Sequence, residues 1–190
     1  MNGHEIVHIG AFEDEGFLAY GEIYITDNHY VPETSVRYAI LFDTDFIVQL
    51  AAVTHLSTRE TKILVLKESG KWEDGGENEI PEFAGCKEID IAGSSFTKSP
   101  PIHRLGLYED GRVRINVISV GYSEDELYLG VDAQQYTCLE LRRPELPDGS
   151  SFRFENLSAG YTEKFFTDGD GVMFCFADEF GDHLVPRQYY

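Results

Sequence analysis

Basic residues are what this chain most lacks. Its 15 lysines and arginines stand against 34 aspartates and glutamates, which gives a formal charge of −19 at pH 7. A surface of that sign is repelled by nucleic-acid phosphates and by anionic membranes. The longest basic run is Arg142-Arg143, so the mixture of basic and aromatic residues that reads nucleic acid is missing as well. No apolar run approaches the ~20 residues of a membrane-spanning helix. The first residues carry no lysine or arginine and include Glu5, which is not the pattern of a secretory signal. A cytoplasmic location is therefore the expectation.

Cysteine is scarce too. Cys86, Cys138 and Cys175 are odd in number and form no C-x-x-C pair, so they are expected to be small buried hydrophobes rather than disulfides or metal ligands. No local signature marks Cys86 as a nucleophile. A nucleophilic-serine elbow and a phosphate-cradling glycine loop are absent from the sequence. Nothing in it calls for a cofactor.

What is present near the start is His4-Glu5-Ile6-Val7-His8, the H-E-x-x-H pattern of zinc peptidases. That chemistry needs a helix, on which both histidines share a face one turn apart. Here the β-branched run favours a strand over residues 5–12. On a strand the two histidines lie ~13 Å apart, too far to share one ion, and the glutamate points to the other face. A zinc hydrolase using His4, Glu5 and His8 is the least favoured of three functional readings.

The dominant period is two. Val113, Ile115 and Val117 alternate with Arg112, Arg114 and Asn116, and similar alternation runs through 127–131, 137–141 and 172–176. Turn residues separate these runs at short intervals. The reading is a mainly β fold, an antiparallel sandwich or irregular barrel with at most one or two short helices. Residues 44–56 carry a 3.6-period stripe and are taken as a helix, with a strand as the alternative. A three-residue loop at Glu109, Asp110 and Gly111, with Gly111 left-handed, is expected to pair Leu107 with Val113 and Leu105 with Ile115, and to leave His103 at the strand end. The chain is read as a single β-rich domain, 1–190, with a possible two-lobed division near 93–101. Residues 168–171 begin like a calcium-binding loop, but Met173 stands where the sixth position requires glycine, and they read as a hairpin turn.

The remaining candidate is the acidic loop 68–82, which holds the single tryptophan. Trp72 set among Glu73, Asp74, Glu77 and Glu79 suggests an aromatic anchor surrounded by charge, suited to a basic protein partner. The leading functional expectation is thus a non-enzymatic acidic binding protein, of the inhibitor or immunity kind. The alternative, from a different class, is a small-molecule-binding β-barrel or isomerase-like enzyme whose cavity is lined by some of the 13 Phe and 11 Tyr residues.

Overall fold

The computed structural model describes residues 2–12, 16–26, 34–141, 150–167 and 173–177. Among these, strands β1 (Asn2–Phe12), β2 (Gly16–Thr26), β3 (Thr34–Phe42), β4 (Val48–His55), β5 (Thr61–Leu66) and β6 (Trp72–Asp74) form one six-stranded sheet in sequence order. A second sheet runs through β7 (Ile89–Ile91), β8 (Arg112–Tyr122), β9 (Leu127–Glu140), β10 (Ser151–Asn156), β11 (Tyr161–Thr167) and β12 (Met173–Ala177). Neighbouring strands are antiparallel except β7 and β8, which are parallel. A parallel pair needs a crossover. The crossover is the 3-10 turn Phe96–Lys98 followed by α1 (Ser99–Leu105), the single α-helix among the described residues. The mainly β expectation holds, with one sheet curling into a half-barrel.

Directly paired residues share a face, so the registers show which side chains meet. Glu5, Val7, Ile9 and Ala11 of β1 line up with Ile23, Gly21, Ala19 and Phe17 of β2. The same face continues through Val36, Tyr38, Ile40 and Phe42 of β3, none more than 2% exposed. This layer packs against Ile89, Ile91, Ile118 and Val120 of the second sheet and against Phe96. A second core lies under the other side of β8 and β9, where Tyr136, Cys138, Phe152, Phe154 and Phe165 enclose Ile102 of α1. The segment from Phe96 through α1 is therefore wedged between two cores.

Three local expectations change. Residues 44–56 are a turn followed by β4, because the apolar positions follow a strand: Val48, Ala51, Val53 and His55 are buried. The parity step between Val48 and Ala51 matches a bulge opposite Leu41 and Phe42. The 105–115 hairpin does not form. Pro100 and Pro101, which favour a first helical turn, make Leu105 the last residue of α1, Gly106 closes the helix at φ 54°, and Val113 and Ile115 pair with Tyr136 and Gln134. The left-handed residue of the following turn is Asp110, at φ 61°, rather than Gly111. Residues 93–101, the place of the possible two-lobed division, carry the 3-10 turn and the start of α1, with Ser94 and Phe96 through Pro101 buried. The 168–171 turn and Arg142-Arg143 lie outside the described residues.

Candidate ligand-binding groove

The acidic segment does not present its tryptophan. Trp72 is 1% exposed, and its indole Nε1 donates to the Cys86 carbonyl at 3.0 Å. Burying an aromatic body while satisfying its one donor is the stable use of that residue, so Trp72 is a core residue and offers no surface to a partner. Nor is 68–82 one long loop. It folds as two tight turns around β6, with Glu73 bridged to Glu79. Glu73 pairs with Lys67 at 3.1 Å and Glu79 with Lys71 at 2.8 Å. Asp74 Oδ1 accepts from the Gly76 and Asn78 N–H groups at 2.8 and 2.9 Å, which holds its carboxyl below the usual range. Glu77 occupies the tip at φ 62°.

The H-E-x-x-H stretch is part of strand β1, so His8 faces one side and Glu5 the other. Glu5 has a different task. Its carboxylate accepts from Tyr38 Oη at 2.7 Å, Ser94 Oγ at 2.6 Å, Ser95 N and Oγ at 3.0 and 3.1 Å, and Phe96 N at 3.1 Å. It thereby staples the edge strand to the start of the crossover. Cys86 is buried, and desolvation together with Glu88 pushes its thiol up to about 11, the opposite of an activated nucleophile.

The crossover is pinned a second time from the far side. Asp90 Oδ1 accepts from Thr97 Oγ1 at 3.0 Å and Lys98 Nζ at 3.3 Å, while Oδ2 accepts from Gln134 Nε2 at 2.6 Å. Lys98 also donates to the Ser94 carbonyl at 3.1 Å and lies over the Phe154 ring. Burial works against its charge, but Asp90 and neighbouring acids outweigh that and raise its pKa. Two polar clusters thus fix the 94–105 segment against both sheets.

That fixed segment forms one wall of a groove, and the turn 43–47 forms the other. Asp43 Oδ1 accepts from the Asp45 and Ile47 N–H groups, each at 2.9 Å, and Oδ2 accepts from Gln49 Nε2 at 2.8 Å. The Phe46 N–H donates to the Asp43 carbonyl at 3.1 Å. This Asx-type ring holds Phe46 at φ 62°, a left-handed conformation that bulky residues seldom adopt and that costs about 1–3 kcal/mol. The ring of Phe46 consequently lies parallel to His103 of α1, with centroids 4.6 Å apart and planes 6° apart, and tilts against Phe17 at 5.1 Å. Phe17 in turn stacks on Phe42 at 4.6 Å.

Two hollows share Phe46 and His103. The first, of about 270 Å³, is apolar and is completed by Ile9, Ala11, Phe17, Phe96, Ser99 and Pro100. The second, of about 370 Å³, is polar and is completed by Thr44, Asp45, Ile47, Lys87 and Arg104. Arg104 donates through Nε and one Nη to Glu88 Oε1. Burial pushes the Glu88 carboxyl up and the Arg104 guanidinium opposes the shift. An apolar compartment joined to a polar one is the form of site that orients an amphipathic molecule. None of the residues singled out from the sequence as partner-binding lines it; His103, expected only at the end of a strand, does. The available signals were the Asp43-Thr44-Asp45 turn chemistry and the two prolines opening α1.

No curated protein sequence matches the chain. Among solved structures, it is similar to a DUF1089 family protein from Pseudomonas aeruginosa, determined by crystallography at 1.80 Å resolution. The two superpose with a TM-score of 0.73 at 24% identity, over 99% of this chain and 93% of that one, a likeness of fold. The profile of a protein family described as "Putative glycolipid-binding" matches residues 1–180, and the chain belongs to that family.

Proposed function

We propose that this protein binds a single-chain amphipathic lipid in the groove between β1, the 43–47 turn and α1, with the apolar chain in the first hollow and the polar end in the second. The observation that carries this reading is the pair of hollows sharing the Phe46–His103 wall, one apolar and one polar. The family description supports a lipid with a polar headgroup. The apolar hollow, at about 270 Å³, lies just under the usual range of small-molecule sites, roughly 300–1,000 Å³, which suits one chain. Of the functions read from the sequence, the small-molecule-binding barrel is favoured over the basic-protein binder, whose aromatic anchor is in the core.

A chain-length series of alkyl glucosides, measured by calorimetry below their aggregation concentrations, tests the reading. Each methylene that enters the hollow contributes about 0.8 kcal/mol, so affinity should rise about fourfold per carbon and then level off. Ala11 is exposed on the edge strand, and Ala11→Trp should fill the hollow, weakening binding at least about tenfold with little change in Tm. Affinity independent of chain length, or unaltered by Ala11→Trp, would contradict the assignment.

A further inference from the structure

Lys87 and Arg104 both line the polar hollow, in a chain that has only 15 basic residues against 34 acidic ones. His103 stands beside them on the shared wall. One acid, Asp45, lines the same hollow. The neighbouring acids are otherwise engaged: both oxygens of Asp43 are taken up within its own turn, and Glu88 is 3% exposed behind Arg104. The Arg104–Glu88 contact uses Nε and one Nη of a guanidinium that carries five N–H donors. The remaining donors suit a planar or tetrahedral oxyanion. Lys87 is exposed, and its backbone carbonyl accepts from Val48 N at 3.0 Å, which anchors the residue while leaving the side chain to the hollow.

We infer that the polar hollow selects an anionic headgroup, a carboxylate or a phosphate, on the amphiphile whose chain occupies the apolar hollow. This rests on the chain-binding reading above. A neutral sugar offers no charge to the exposed Lys87 ammonium or to the N–H donors that Arg104 keeps beyond its bond to Glu88, whereas an oxyanion receives charge-assisted hydrogen bonds from both. The overall negative charge sharpens the selection. An anion is repelled by the rest of the surface, so only a headgroup that reaches Lys87 and Arg104 is retained.

The test compares decanoate, decyl phosphate, decyl glucoside and decyltrimethylammonium, all below aggregation, on the full chain by calorimetry. The anionic ligands should bind about tenfold more tightly than the glucoside, the scale of one charge-assisted hydrogen bond. Comparing decanoate with decyl phosphate shows which oxyanion the hollow fits. Lys87→Glu should bring the anion-to-glucoside ratio down to about one. Lys62→Glu makes the same change in net charge at a position paired with Val53, near the other end of β4, and should leave the ratio as it was. Glucoside and anions binding equally, or the cationic ligand binding best, would overturn the headgroup inference while the chain-binding reading stood. Failure of all four to bind would overturn both.

Discussion

Replacing Glu5 tests how the groove is held in place. Its carboxylate accepts five hydrogen bonds, two of them from the Ser95 and Phe96 amides that begin the crossover and one from the otherwise buried Tyr38 hydroxyl. Hydrogen bonds to a charged group contribute about 1.5–3 kcal/mol each, but five on one carboxylate are not additive, and the half-buried Ser95 hydroxyl can turn to water. Tyr38, 1% exposed, and Ser94, 0% exposed, cannot. Glu5→Ala should therefore cost about 3–5 kcal/mol, since two buried hydroxyl donors, at about 1–3 kcal/mol each, lose this acceptor. At about 2–4 °C per kcal/mol for a chain of this size, Tm should fall by on the order of 10 °C. Glu5→Gln, which keeps the shape and one acceptor oxygen, should lose roughly half as much. Native-state hydrogen exchange should show the Ser95 and Phe96 amides opening far more readily in Glu5→Ala. His8 is exposed on the opposite face of β1, so His8→Ala should change stability by no more than ~0.5 kcal/mol. A Glu5→Ala protein within about 1 kcal/mol of the parent, with unchanged exchange at 95 and 96, would refute the staple.

Other perturbations follow from the same packing. A Cβ at Gly21 would lie 2.1 Å from Tyr38 Cζ, so Gly21→Ala should displace the Tyr38 ring, break its bond to Glu5 and destabilise by about 2–3 kcal/mol, read by chemical denaturation. Tyr122 Oη is buried with no hydrogen-bond partner among the described residues; Tyr122→Phe should leave stability unchanged or raise it by up to about 1 kcal/mol, and a clear loss would reveal a partner for the hydroxyl. Burial raises the Glu88 carboxyl above its usual 4.5, so the folded protein holds that proton more tightly than the unfolded chain. This contribution is present on the acid side and is lost as pH rises through the raised folded value. Glu88→Gln should flatten that part of the stability profile, measured by Tm against pH; a variant whose profile steepens there would show the opposite shift.

The fold class was legible because a two-residue period survives wherever one face is wet: Arg112, Arg114 and Asn116 are exposed opposite Val113, Ile115 and Val117. It failed where both faces are covered or where the backbone leaves its ordinary regions. Residues 44–56 have apolar side chains on both sides of a bulge, which imitates a helical stripe. Leu105 and Leu107 look like strand residues because they belong to the apolar core, which a helix end and a loop reach equally well. The strand reading of H-E-x-x-H held, since β-branching is a property of the residues themselves. The groove was the least legible part. Its wall depends on Phe46 at φ 62° and on β1 lying beside residues 94–100, a juxtaposition set by the crossover between sheets. Trp72 misled for a related reason. A lone tryptophan among acids resembles a surface anchor, yet its neighbours in sequence face water while its own side chain crosses to Cys86.

The most direct test of the central claim is methyl NMR of the protein titrated with decyl glucoside, with isoleucine and alanine methyls labelled. The hollow is built from Ile9 and Ala11 on one face of β1 and adjoins Ile47 across the Phe46 wall. Ile6, on the opposite face of β1, and Ile63, on β5, are exposed but lie outside both hollows. Saturating shifts at Ile9, Ala11 and Ile47, with Ile6 and Ile63 unmoved, are the expected result. Shifts spread equally over Ile6 and Ile63, or none at Ile9 and Ala11 on saturation, would place the lipid elsewhere and contradict the account.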